Sequence, residues 1–486
     1  MPAPAGESRP VTPATPERLL GRVARAVDAL LAAADAHGGL FPSLLDRRSG
    51  AMLETLPPPI AGQRTGDRSH RGSNLIHDQT LLATMDALAG PLGRSDFPAA
   101  TDRYLARFAS HCTDTATGLF PWGEHAYWHL GEDRVGNSYD LRGDGVARPA
   151  THDHLRQAPL WLWERLWAAN PGAVERFAAG LDYHWKAGPP SEYTRHASIE
   201  VRAHPVHAPR ACDFPRHGGF YILDWAYAFG RTGRRDFVDQ IRRMLDHWWT
   251  KRDGHGLLLT ESRSPEGDAH HRVNAPGQTL SLAASLYEAA ALLDAAEPAL
   301  AAGMRRRAET YVRGFLAAPH DLQHGVFVLL CGRDTNDVRR AMPVWGSAYG
   351  VWPASYVALT AVCANRLAPA PGLLAWATAV GERYAAEPFP AGVQVPAMDA
   401  GLGLGLLADL FDVTGERRWL DAGLDLAATL EGTYWDGDEP LPRGAAGIDW
   451  YESQMGPCFL LHGLARIALL AAQPDGCPLG ADYTAR

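Results

Sequence analysis

Trp122-Gly123-Glu124-His125 sets a carboxylate and an imidazole side by side in an irregular stretch flanked by Phe120, Tyr127 and Trp128. Neutral imidazole beside carboxylate is a mixed nitrogen and oxygen donor set, suited to Mn, Ca, Zn or a related divalent ion. The neighbouring aromatic faces suit stacking on sugar rings. In His152-Asp153-His154-Leu155-Arg156 two imidazoles stand just before an apolar helix, and Arg156 falls where the positive end of a helix dipole already favours an anion. An i, i+2 pair faces one way only in extended chain, and by phase His154 is the ligand or substrate contact. Asp213-Phe214-Pro215-Arg216-His217-Gly218-Gly219 places Arg and His at a helix start, where the macrodipole disfavours both when charged. That local conflict points to function.

Other groups gather in the same kind of segment. Tyr193-Thr194-Arg195-His196 opens the most cation-rich loop, which continues to Arg210. Glu261-Ser262-Arg263 and Asp449-Trp450-Tyr451-Glu452 each put a carboxylate beside a group able to touch a sugar. Arg156, Arg195, Arg263 and Arg333 are candidate carboxylate clamps, and Trp122 and Trp345 candidate sugar platforms. Only Lys186 and Lys251 are lysines, so nearly every cation here is a planar fork matched to carboxylates.

The elements that must hold these loops are helical. Apolar residues recur at helical spacing over 17–37, 75–90, 97–112, 155–169, 171–186, 218–231, 234–250, 275–294, 299–318, 346–366, 370–386, 398–413, 416–432 and 454–473. Links such as Asn170-Pro171-Gly172, Gly230–Arg234 and Val413–Glu416 are short and carry Gly or Pro, which makes antiparallel hairpins. Long connections over 113–154, 187–217, 252–274, 319–345 and 433–453 alternate with them. Long loops at one end and tight turns at the other describe repeating helical hairpins closed in a ring, with the last helix against the first. The expected fold is therefore an all-α (α/α) toroid, seven hairpins favoured over six. Leu155–Trp167, Gly218–Phe229, Gln278–Ala291 and Gly401–Leu410 are apolar on most faces and belong inside. Arg234–Trp249 is amphipathic and belongs outside.

Over 486 residues the net charge is −9, so no basic field exists to hold nucleic acid. The six cysteines lack CxxC spacing, and neither a thiolate metal site nor a disulfide framework is indicated. No signal h-region and no spanning apolar run appear, which gives a cytoplasmic expectation. The chain divides into a disordered lead (1–16), a single catalytic barrel (17–475) and a tail (476–486). GxGxxG in a strand–helix unit, GxxxxGK[ST], HExxH and GxSxG are missing from the sequence, which removes the usual support for nucleotide, zincin and serine-hydrolase chemistry.

Taken in order, WGEH at 122–125, DHLR at 153–156 and DFPRHGG at 213–219 resemble the signature of family 2 pectate lyases. The resemblance covers about 100 residues in three patches. It implies an (α/α)7 barrel, a divalent metal held by two histidines and a glutamate, an arginine base next to one of those histidines, and a lysine acid. On this chain the metal ligands would be His125, His217 and, at the glutamate position, His154; the base would be Arg216. The lysine has no counterpart, and Tyr193, Tyr451, Arg263 or Arg333 would have to take its place. The implied reaction is metal-assisted β-elimination on an acidic oligosaccharide or polysaccharide containing uronic acid, with Glu124 also in the catalytic group. Two further readings stand beside it. One is a glycoside hydrolase using two carboxylates from Glu124, Glu261, Asp449 and Glu452; the other is a sugar epimerase or isomerase on six hairpins.

Overall fold

The computed structural model describes residues 14–189, 191–205, 213–261, 272–474 and 476–486. Among them run fourteen α-helices: α1 (Pro16–Asp35), α2 (Leu75–Leu92), α3 (Asp96–Arg107), α4 (Leu160–Ala169), α5 (Pro171–Gly180), α6 (Pro215–Thr232), α7 (Arg235–Trp249), α8 (Pro276–Leu293), α9 (Pro298–Ala317), α10 (Ala354–Leu367), α11 (Pro371–Ala386), α12 (Ala397–Thr414), α13 (Arg417–Tyr434) and α14 (Pro457–Ala472). Their ends follow from local chemistry. Thr15 and Asn170 cap α1 and α5 through side-chain oxygens, and proline stands in the first turn of α1, α5, α6, α8, α9, α11 and α14, where no amide donor is needed.

Six tight links join α2 to α3, α4 to α5, α6 to α7, α8 to α9, α10 to α11 and α12 to α13, and α14 packs on both α1 and α2 to close the ring. The fold is an all-α toroid of helical hairpins. Helices α6, α8, α12 and α14 are buried on nearly every face over most of their length, which their small and apolar residues permit. Helix α7 buries one stripe, Phe237, Val238, Ile241, Met244, Leu245, His247 and Trp248, and turns its Arg and Asp side chains outward.

Proline explains two departures from the sequence expectation. The apolar run from Leu155 becomes helical only at Leu160, because Pro159 forces the chain before it into extended form; α4 then buries just Leu162, Trp163 and Leu166, and is not the fully enclosed inner helix expected for Leu155–Trp167. The helix expected from 346 starts at Ala354, after Pro353, for the same reason. Helix α5 stops at Gly180 and continues as a 3-10 turn, Leu181–His184, short of the 186 expected.

The long connections are stitched together by short antiparallel ladders: Leu44–Asp46 with Trp450–Glu452, Gly72–Ser73 with Ala126–His129 and on to Arg134–Asn137, Thr151–Asp153 with His196–Ser198, and Val273–Asn274 with Val328–Gly332 and Val338–Ala341. Loop pairs far apart in sequence are thereby fixed against one another at the N-terminal ends of the inner helices. No described helix is long and apolar enough to cross a membrane. Cys112, Cys331, Cys363, Cys458 and Cys477 are free thiols.

Candidate active site

A cavity of about 220 Å³ opens among these loops, with Glu124, Arg156, Arg195, Arg216, Trp352 and Asp399 in its wall. Glu124 is put there by a backbone device. Gly123 has φ +103°, and a Cβ at this position would strike the carbonyl of Asp153, so only glycine permits the approach. Asn74, at the start of α2, locks the turn by donating to the Gly123 carbonyl (2.8 Å) and accepting from its amide (3.3 Å). Asp153 pairs across its ladder with His196, which brings the preceding Arg195 alongside.

Arg195 then bridges two carboxylates, with Nη1 2.9 Å from Asp153 Oδ2 and Nη2 2.9 Å from Glu124 Oε2. Arg64 joins the cluster, 3.4 Å from Glu124 and 2.6 Å from Asp67. Burial favours the neutral form of every acid here, and neighbouring charge decides how far each follows. For Glu124, the charges of Arg195, His125 and Arg64 together outweigh burial, and its carboxyl is held below the usual range. Burial dominates at Asp153, with Glu124 adding to it against Arg195, and its carboxyl is raised. The pair therefore carries an ionised carboxylate at the cavity and a neighbour behind it that retains a proton more readily.

Asp399, in the first turn of α12, is the second carboxyl on the cavity. Its Oδ1 accepts from the Tyr356 hydroxyl at 2.9 Å, while Oδ2 is buried with no hydrogen-bond partner among the described residues. Burial pushes it up to about 8, against the ordinary preference for an ionised acid at a helix N-terminus. Gly346 packs against this carboxyl, and a Cβ there would collide with it. Around the two acids, Arg216 lies 4.5 Å over the Trp352 ring and Arg156 4.8 Å over Phe459. Burial, then the charge of Arg195, lowers Arg216 to about 10.

Of the residues singled out in the sequence, Glu124, Arg156, Arg195 and Arg216 meet at this cavity. The remaining described ones do not line it. Trp122 is wholly buried, donates to His152 Nε2 (2.8 Å) and stands 5.1 Å from Phe120 and 5.2 Å from Phe177, so it builds core where a sugar platform was expected. Trp345 is wedged between Tyr384 and Phe389. Arg333 spends its guanidinium on the carbonyls of Lys251 and Arg252 and on Asn274. Tyr451 is buried opposite Leu45, and Glu452 is forked by the equally buried Arg68 at 2.6 and 2.7 Å. Asp449 is paired with Arg47 and Arg48, and Glu261 is buried away from the cavity. Arg263 lies outside the described residues.

Tyr193 serves the backbone. Its hydroxyl donates to the Phe214 carbonyl (2.8 Å) and accepts from Trp248 Nε1 (3.1 Å), which fixes the start of α6. Tyr193→Phe should cost on the order of 1 kcal/mol of stability, read from denaturant unfolding, and change kcat by less than about 3-fold. A general acid at this position would instead lose about 10²-fold or more.

The three imidazoles expected to share a metal are not gathered. Groups of three ligand-type side chains within 4.8 Å of one another are His125, Asp153 and His196, and Asp67, Glu124 and His125; His154 and His217 belong to neither among the described residues. His154 Nε2 sits 3.1 Å from Asp224 Oδ2 beneath the site, and His217 is boxed by Phe214 and Phe220. A His125–His154–His217 centre therefore does not fit this fold. In the two groups that do form, Arg195 already binds Asp153, and Arg64 and Arg195 bind Asp67 and Glu124, so a divalent ion would have to sit against guanidinium charge. Burial lowers His125 to about 4, and its ring stacks on Tyr139 at 4.4 Å with Nδ1 3.1 Å from the Gly66 carbonyl.

Sequence reasoning passed over Asp399, Arg64 and Asp67. A readable signal existed for the first, since Asp399 is the only acid at the head of the Gly- and Leu-rich run 397–408, where burial was expected. Arg64 and Asp67 lie in a polar, proline-rich stretch with no comparable mark.

No protein-family model matches the sequence, and no curated relative matches it. Solved structures are similar in overall shape. D-mannose isomerase aligns over 93% of this chain and 99% of its own with a TM-score of 0.46 at 9% identity. A heparin-specific unsaturated glucuronyl hydrolase covers 93% and 98% with 0.45 at 11%, and the cellobiose 2-epimerase of Bacillus thermoamylovorans covers 93% and 99% with 0.46 at 8%. These identities and scores are low, and the functional reading rests on this chain's own residues.

Proposed function

We propose that the chain is a glycoside hydrolase acting on a saccharide that carries a carboxylate, a uronic-acid-containing oligosaccharide, with Asp399 as general acid and Glu124 as the opposed carboxylate. The observation that carries the reading is the pair itself: two acids on one cavity whose surroundings shift them in opposite directions. Asp399, protonated at neutral pH, would donate its proton to the glycosidic oxygen as the C–O bond breaks. Glu124, ionised, would face the developing oxocarbenium ion and either attack the anomeric carbon or take a proton from the attacking water. If Glu124 attacks, Asp399 regains its proton from the water that then cleaves the glycosyl–Glu124 bond; if Glu124 takes the water's proton instead, proton exchange with solvent returns Glu124 to the carboxylate and Asp399 to the acid. Arg156 and Arg216 supply planar forks for the sugar carboxylate, with Arg195 beside them holding Glu124 and Asp153, and Trp352 supplies an aromatic face.

This reading replaces the carboxylate set drawn from the sequence, since Glu261, Asp449 and Glu452 stand elsewhere. β-Elimination is kept as a second reading by one observation, the lowered proton affinity of Arg216 in its buried seat over Trp352. Incubation with uronic-acid oligosaccharides and p-nitrophenyl uronides separates the two. Hydrolysis releases reducing sugar without ultraviolet absorbance from a C4=C5 double bond, and a chelator leaves the rate unchanged. Product with that absorbance, or activity abolished by chelation and restored by Mn or Ca, would sink the hydrolase reading.

A further inference from the structure

The bore of the toroid is not open. Residues Leu479–Arg486 run up its axis, tied to helix after helix of the inner ring. His462 of α14 bonds the Gly480 carbonyl (3.0 Å), Thr80 of α2 donates to Asp482 (2.6 Å), and the Tyr483 hydroxyl donates to Asp409 of α12 (2.7 Å). Arg486 pairs with Glu288 of α8 and donates to the Cys363 sulfur of α10 at 3.3 Å. The Thr484 carbonyl accepts from the amide of Gln157, next to Arg156 of the cavity wall. Thr484, Ala485 and Arg486 are all buried.

This strand of chain separates two cavities. Asp482, Tyr483, Thr484 and Arg486 line a space of about 760 Å³ on the tight-turn side of the ring, together with Gly90, Pro91 and Trp161. Ala485 alone of the segment lines the 220 Å³ cavity that holds Glu124 and Asp399. Sequence position gives no hint of this, because the segment reads as a polar tail beyond the last helix.

We infer that Ala485 is a specificity-determining residue: its methyl group forms the floor of the active cavity, and the bonds of Tyr483 and Arg486 hold that floor in place, so that the cavity ends blind after a single terminal sugar unit. The inference rests on the proposed saccharide substrate. The volume agrees, since 220 Å³ lies below the ~300–1,000 Å³ of clefts that take larger ligands. An enzyme so built works from a chain end, releasing one unit at a time.

The test uses the full chain with Ala485→Val and Ala485→Phe, graded so that one keeps its fold if the other does not. Stabilisation of the melting temperature by free glucuronate is measured beside hydrolysis of p-nitrophenyl β-D-glucuronide. Glucuronate should bind the wild type, more weakly to the Val variant and at least about 10-fold more weakly to the Phe variant, with KM for the glycoside rising in step, as filling a substrate pocket predicts. Wild-type affinity and KM in a folded Phe or Val variant would overturn the inference, as would a wild type that glucuronate does not stabilise. Glucuronate binding that weakens along the series, in a protein that hydrolyses no glycoside, supports the floor and defeats the hydrolase reading instead.

Discussion

Asp399→Asn is expected to lower kcat by about 10³-fold while leaving the protein at least as stable as the wild type at neutral pH. The amide keeps the shape and still accepts from the Tyr356 hydroxyl, but it has no proton to give the leaving oxygen. The stability side follows from the raised proton affinity. In the folded chain Asp399 holds its proton up to about 8, against 3.8 for an unperturbed aspartate. Below pH ~4 both states are protonated and the favourable contribution is fully present. As pH rises towards about 8 the unfolded chain ionises while the folded chain does not, so that contribution is progressively lost. Asparagine does not titrate. Unfolding free energies of variant and wild type should therefore diverge between pH 5 and pH 8 in the variant's favour, by an amount on the order of a few kcal/mol. Wild-type activity should fall above about pH 8 as the acid is lost. A variant that loses activity and stability together, with no pH dependence in the difference, would mean that Asp399 is a structural residue and not the acid.

The architecture was legible because the signals for it are short-range. A 3.6-residue apolar period, proline in first turns and glycine after last turns depend only on neighbours within a few residues, and fourteen helices emerge where fourteen were expected. Prolines 159 and 353 shifted two starts for the same local reason, and they could have been weighed as readily. The site was legible only in part, since its geometry depends on contacts across hundreds of residues. Glu124, Arg156, Arg195 and Arg216 stood out as polar groups where no core was needed. Trp122 and His154 stood out equally, yet the chain turns them inward, Trp122 onto His152 and His154 onto Asp224. Motif spacing does not say which of two neighbouring side chains faces the cavity. Asp399 illustrates the converse, a catalytic candidate hidden inside a run that reads as core, and Ala485 has no polar atom to draw notice at all.

Arg195→Ala should be the most destabilising single change at the site, because Arg195 neutralises two buried acids at once. Removing it leaves Glu124 and Asp153 facing each other with only Arg64 and Arg216 to offset them, a loss of ~3–5 kcal/mol by analogy with broken buried pairs. The sign with pH is opposite to that for Asp399. Arg195 helps hold Glu124 below its ordinary range, so its contribution is present above the usual carboxylate pKa and fades as pH falls towards the lowered one. Wild type and variant should converge in melting temperature as pH falls below the usual carboxylate range and stay apart above it. Arg195→Lys supplies a point charge that reaches one carboxylate but not both, and should recover only part of the loss. The double change Arg195→Ala with Glu124→Gln should be less destabilising than the sum of its parts, since the second substitution removes the charge that the first strands. Substrate binding is to be read separately, on variants that remain folded. If the fork also receives the sugar carboxylate, affinity for glucuronate should fall by about 10²-fold in Arg195→Ala while affinity for glucose changes little. Equal losses for the two sugars would assign Arg195 to the scaffold of the acids alone and leave anion recognition to Arg156 and Arg216.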